Sequence, residues 1–305
     1  MIHCYKDYNQ ALIGLKRLNH ITPHNNPNLS NTLTLENHNG VPMLHFRKLK
    51  DFPWLYQGFS TRIGGVSSGI YESMNLSFNL LDSKEKVLNN FKIVSDTIGI
   101  PVDNMVYSKQ THTTNILQID NSHKGMGIVR DRNFDNIDGL ITNLPEICLV
   151  TSFADCIPVI IADPVNKVIA SLHSGWRGTV GNIARNAVDI MKNEYGCHAS
   201  DLYGFIGPGI CPDCYEVSSD VAGEFADVYS NDEMSLILQN GKADGKFQLN
   251  LLMANRINLL NAGLSDSNIF TADICTSCNP KLLFSHRASE GKRGLMCNFI
   301  YLKGV

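Results

Sequence analysis

Between residues 146 and 178 the chain reads EICLVTSFADCIPVIIADPVNKVIASLHSGWRG, three short apolar runs followed by a glycine-punctuated turn. The runs fall near 147–153, 157–162 and 167–172, each of strand length, and DPVNK supplies the turn between the last two. Apolar residues on both faces of such runs mean strands covered on both sides, so the segment predicts a buried sheet. The pattern then changes period. In TVGNIARNAVDIMKNEYG, Val180, Ile183, Ala184, Ala187, Ile190 and Met191 recur at helical spacing, with Thr179 placed to cap and Gly196 to stop.

Two further segments read as amphipathic helices. SKEKVLNNFKIVSDTIG puts Val87, Phe91, Val94 and Ile98 on one face, with Ser83 as N-cap and Gly99 as the C-terminal stop, and another helix runs near 248–262 up to Gly263. Residues 1–40 are rich in Asn and His without periodicity and read as a peripheral extension. No repeat or long linker interrupts 41–305, which reads as one domain.

Composition excludes several functions. Of 305 residues, 43% are apolar and 18% charged, the mix of an ordinary globular chain, and the net charge of −3 provides no basic field for nucleic acid. Lys6, Asp7, Lys16 and Arg17 break the N-terminal apolar residues, and no stretch approaches a membrane span, so no membrane partner and a cytoplasmic setting are expected. Nine cysteines fit reduced thiols better than a disulfide framework. Four of them form the pairs Cys211/Cys214 and Cys275/Cys278, but the separation of the pairs is about three times that of a zinc ribbon. The spacing favours buried small hydrophobes over a four-cysteine metal site.

The polar residues inside apolar segments carry the chemistry. Asp155 and Cys156 interrupt a double run where a charge is costly unless paired or used. His173 stands at a strand end and Arg177 just before a helix, where free backbone N–H groups favour anions; Gln110 and His112 edge another run. One Cys and two His from separate elements suit a zinc site with an open fourth position, although spacing alone leaves that undecided. For each residue singly, ordinary packing is the competing reading.

Seven islands, GFSTRIGGVSSGIYESMNLSFN, QTHTTNI, DGLITN, SFADCIPVIIADP, ASLHSGWRGTVGNIARNAV, GPGICPDCYEV and CTSCNPKLLFSHR, together resemble the laccase-domain family, also called polyphenol oxidase or peptidoglycan editing factor, from about residue 36 onward. The resemblance implies one α+β domain of four layers, α/β/β/α, with mixed sheets. It implies Zn2+ held by His112, Cys156 and His173, and a purine nucleoside phosphorylase acting on adenosine or inosine with inorganic phosphate. Adenosine deaminase and methylthioadenosine phosphorylase activities are admitted beside it. Within that reading Arg62 and Arg177 hold the anion, Asp155 carries a proton or orients a ligand histidine, and Asn75, Gln110 and Arg62 contact substrate. Thr113, the first cysteine of CPDCYEV, His286 and LMCNFIYL depart from the usual pattern. Multicopper oxidation is disfavoured, since the ten histidines form no His-x-His pair. Two alternatives stay open: a metal-free hydrolase using Cys156 and His173, and a zinc-containing interaction protein without activity.

Overall fold

The computed structural model describes residues 31–304. One six-stranded sheet has the order β1 (Leu33–His38), β2 (Val41–Phe46), β3 (Leu55–Ser60), β15 (Met296–Leu302), β7 (Cys148–Phe153), β4 (Met105–Tyr107). The other has the order β14 (Ile269–Thr271), β10 (Tyr203–Ile206), β8 (Ile157–Asp163), β9 (Val168–Ser174), β6 (Gly139–Thr142), β5 (Ile116–Gln118). Both are mixed: β4 runs parallel to β7, and β14 and β5 run parallel to β10 and β6, while the remaining neighbours are antiparallel. A small third sheet joins β11 (Glu216–Ser218), β13 (Lys246–Leu249) and β12 (Leu238–Asn240). β1 lies within the stretch read from sequence as an extension; its pairing with β2 makes it the edge of the first sheet, and residues 1–30 lie outside the described residues.

Period-two alternation sorts the strands into layers. In β15, Met296, Ile300 and Leu302 face the second sheet, while Cys297, Phe299 and Tyr301 face the other way, onto Val87, Phe91, Val94 and Ile98 of α1 (Lys84–Ile98). In β8, Ile160 and Ala162 fill the space between the sheets, and Ile157, Val159 and Ile161 pack outward against α3 (Ile183–Tyr195) and α6 (Leu251–Asn261). The result is the four-layer α/β/β/α arrangement. The three apolar runs divide between layers, β7 in the first sheet and the β8–β9 hairpin in the second.

The Ser83 side chain accepts the Lys86 N–H, and Gly99 closes α1 at φ 73°. The helix expected after Thr179 is split instead. Trp176–Val180 forms a short α2, and Asn182, at φ 57°, caps α3 through its side chain. Thr179 is held inside α2, its hydroxyl donating to the Gly175 carbonyl at 2.9 Å. The buried Asn255 and Asn258 of α6 donate to the Thr179 hydroxyl and carbonyl at 3.1 and 2.8 Å, which fixes the turn after β9. Two short helices, α4 (Ser219–Ala226) and α5 (Asn231–Ile237), stand beside the third sheet. Among the described residues no helix is long and apolar enough to cross a membrane.

Candidate metal centre

Strand register builds the centre. Ile157 pairs with Ser174 and Pro158 with His173, so the open end of the β8–β9 hairpin sets Cys156 across from Gly175. A Cβ on Gly175 would lie 3.0 Å from both Cys156 Sγ and His112 Cδ2, so a larger residue there would press on both ligands. His112 arrives from the loop between β4 and β5. Its Nε2 lies 3.9 Å from Cys156 Sγ, and its ring stands nearly edge-on to that of His173, with centroids 4.9 Å apart. The three ligand atoms of His112, Cys156 and His173 all fall within 4.8 Å of one another.

Asp138, fully buried just before β6, organises the cluster. Its Oδ1 accepts from the His112 N–H at 3.0 Å and lies 2.8 Å from His173 Nδ1. Its Oδ2 accepts from the N–H groups of Thr111 and Thr113, at 3.0 and 2.8 Å, and from the Thr113 hydroxyl at 3.0 Å. A carboxylate acceptor at Nδ1 fixes the proton there and frees the His173 Nε2 lone pair for a metal. His112 has φ 66° and Asp155 φ 88°, a left-handed backbone that costs non-glycine residues about 1–3 kcal/mol and needs such restraint.

The electrostatics follow from this packing. Burial alone would raise the Cys156 thiol, but the charge of His173 and contacts with both histidines bring it down to about 6. Burial would lower His173, yet the Cys156 thiolate and the Asp138 hydrogen bond lift it to about 10. Burial opposes ionisation of Asp138, and His173 with the backbone amides of Thr113 and Thr111 holds it at about 2. A polarised thiol, two imidazoles and a supporting carboxylate form a soft, borderline donor set suited to zinc.

The other residues singled out from sequence take different places. Asp155 Oδ1 accepts from the Thr276 hydroxyl at 2.6 Å and Oδ2 from the Arg287 N–H at 2.7 Å; the carboxylate that orients a ligand histidine is therefore Asp138, not Asp155. Asn75 is fully buried, donating to Asp82 and accepting from the Leu295 N–H. Gln110 accepts through Oε1 from the hydroxyls of Ser108 and Ser152 and the Ser152 N–H, and donates through Nε2 to the Ser152 carbonyl, so it ties the His112 loop to β7. Arg62 donates through Nε, Nη1 and Nη2 to the carbonyls of Glu72 and Pro280 and lies over Phe284, which binds two loops together. Arg177 is exposed, within the first turn of α2 rather than before it, and stacks on Trp176 at 4.2 Å.

Two residues escaped the sequence reading. Asp138 sits in DGLITN, where an acid before a strand resembles a turn residue. Arg293 has a buried Nε without a hydrogen-bond partner; burial lowers its pKa, opposed by attraction to Asp155 and Cys156, which places a cation beside the centre. Nothing in the aperiodic SEGKRG singles it out.

The family described as "Multi-copper polyphenol oxidoreductase laccase" matches residues 56–303, and the chain belongs to it. Within that family it is 32% identical to "Purine nucleoside phosphorylase YlmD" of Bacillus subtilis (strain 168), over 81% of this chain and 88% of that one. It is 31% identical to "Adenosine deaminase RL5" of an unknown prokaryotic organism, over 86% of this chain and all of that one. The crystal structure of Bacillus licheniformis hypothetical protein YfiH superimposes with a TM-score of 0.82 at 32% identity, covering 86% of this chain and 96% of that one.

Proposed function

We propose that this protein is a zinc-dependent purine nucleoside phosphorylase working in the cytoplasm on adenosine or inosine and inorganic phosphate. The observation that carries the reading is the convergence of His112, Cys156 and His173 with Asp138 behind them. The donor set fits zinc, which when bound there supplies Lewis-acid polarisation at an open coordination position. Relatives named purine nucleoside phosphorylase and adenosine deaminase support the choice of substrate class.

The chain's own residues account for the rest. Asp138 holds His173 in the ligating tautomer and clamps the His112 loop. Arg177, exposed two residues after Gly175, and Arg293, with a free buried Nε and a charge that acts on Cys156, are the anion holders: the guanidinium fork matches phosphate geometry. Arg62, already committed to three carbonyl bonds, keeps the loop that follows β3 in place. Asp155 is a positioning residue, since both its oxygens are engaged and it fixes the backbone next to Cys156. In the reaction a phosphate oxygen bonds to ribose C1′ as the C1′–N9 bond breaks, and the departing purine takes up a proton.

A nucleoside panel assayed with and without phosphate, alongside zinc analysis, tests the proposal. Base release that requires both phosphate and zinc is expected. Full activity in strong chelator would favour the Cys156 and His173 hydrolase, and no turnover of any nucleoside by the zinc-loaded protein would favour an interaction role.

A further inference from the structure

The structure assigns a second metal site to the two Cys-x-x-Cys pairs: we propose that Cys211, Cys214, Cys275 and Cys278 bind a structural zinc ion that staples two loops beside the first centre. The sequence argued against this, because residues 215–274 separate the pairs. The fold removes the objection. Gly209 forms a parallel bridge with Cys275, and the Thr276 N–H donates to the Gly209 carbonyl at 3.0 Å, so the two loops run side by side.

All four sulfurs lie within 4.8 Å of one another. Cys214 Sγ is 3.5 Å and Cys211 Sγ 3.9 Å from Cys278 Sγ. A tetrahedral zinc with bonds of about 2.3 Å sets its sulfurs about 3.8 Å apart, so the observed spacing is that of a mononuclear four-thiolate site. Bridging disulfides would require about 2.05 Å, and all four cysteines are free.

Two further observations separate a ligand set from buried thiols. The backbone N–H groups of Cys211 and Cys278 both point at Cys275 Sγ, at 3.2 and 3.4 Å, the arrangement that stabilises a thiolate. The cysteines also stand apart from the large cores, in a cluster whose apolar company among the described residues is Ile210 and Tyr215. Such a cluster is too small to hold two long-range loops by apolar burial alone. The consequence reaches the first centre, because Thr276, between the second pair of cysteines, donates to Asp155, and the Ile210 N–H donates to the Asp155 carbonyl at 2.9 Å. The ion would fix the wall that holds Asp155 next to Cys156. Each cysteine binds as thiolate, its proton passing to solvent.

The test is zinc content of the full-length protein grown with zinc, for the wild type, Cys156→Ala, and the double variant Cys211→Ser with Cys275→Ser. The expected stoichiometries are two, one and one per chain. Should the double variant fail to fold, Cys156→Ala still decides, since its first site has lost a ligand. That variant should retain one zinc and, reconstituted with cobalt(II), show the intense sulfur-to-metal charge transfer of four thiolates. A Cys156→Ala protein without zinc, iron in place of zinc, or disulfides among these cysteines in the freshly purified protein would overturn the assignment. Because Cys156→Ala disables only the first centre, failure here is distinguishable from failure of the phosphorylase reading.

Discussion

Replacing Asp138 by Asn removes one acceptor from a carboxylate that serves five donors. Oδ1 receives the His112 N–H and faces His173 Nδ1, while Oδ2 receives two N–H groups and the Thr113 hydroxyl. An amide satisfies only one side. With its NH2 turned toward Oδ2's partners, two backbone donors meet a donor; turned the other way, it confronts the His112 N–H and asks His173 Nδ1 to accept. That second orientation moves the imidazole proton to Nε2 and blocks metal ligation. Loss of one charge-assisted bond and one satisfied buried donor together costs about 3–5 kcal/mol. For a domain of this size that lowers the melting temperature by about 5–9 °C. Removal of an outer partner of a metal-ligating histidine weakens the metal by about 10- to 100-fold. The carboxylate's pKa is depressed to about 2, so its stabilisation is complete above the ordinary carboxylate range and lost as pH falls through 2. The carboxylate's own titration should therefore add no pH dependence to the gap between about pH 5 and 8. Chelator competition and thermal melts of both proteins measure these effects. An Asp138→Asn protein with zinc affinity within about threefold of wild type and an unchanged melt would refute the role given to this carboxylate.

Arg177→Ala should reduce phosphorolysis by about 10²–10³ and deamination less, because in the proposed role it holds the anionic reactant; equal losses in steady-state assays of both reactions would contradict that role. Gly175→Ala introduces a Cβ 3.0 Å from Cys156 Sγ and His112 Cδ2, and direct metal analysis should show zinc occupancy falling while the far-UV spectrum is kept; full occupancy would mean the ligands yield more easily than their packing implies. In metal-free protein the alkylation rate of Cys156 should rise with pH through a midpoint near 6, the pKa set mainly by His173 against burial, as followed by peptide mass spectrometry. A midpoint near that of an ordinary thiol, about 8.5, would show that the histidines do not stabilise the thiolate.

Local features were legible in the sequence wherever one short segment specifies them. Ser83 and Gly99 bound α1 because cap chemistry is local, and β7, β8 and β9 show as apolar runs because both faces of each strand are covered. His112, Cys156 and His173 came from the family likeness, since no spacing rule links ligands on a loop, a hairpin edge and a strand end. What failed to show was long-range. Asp138 earns its role only once β6 lies beside β9 and the 111–113 loop folds over it. Asn75 looked polar and available, but its partners Asp82 and Leu295 come from a nearby turn and from the far end of the chain. The cysteine pairs seemed too far apart because sequence separation says nothing about loops brought alongside by sheet order. The split at Asn182 was missed because apolar periodicity runs through the break between α2 and α3.

In the proposed reaction inorganic phosphate attacks the ribose of a purine nucleoside beside His112, Cys156 and His173, which would hold the zinc. Incubating the zinc-loaded protein with inosine and phosphate carrying 18O at every oxygen, then reading the sugar product by mass spectrometry and 31P NMR, tests it most directly. The expected product is ribose 1-phosphate retaining all four labelled oxygens, one of them in the new C1′–O bond, with hypoxanthine formed in equal amount and neither product when zinc is withheld. Hypoxanthine accompanied by unlabelled free ribose, or formed equally well without phosphate, would contradict it.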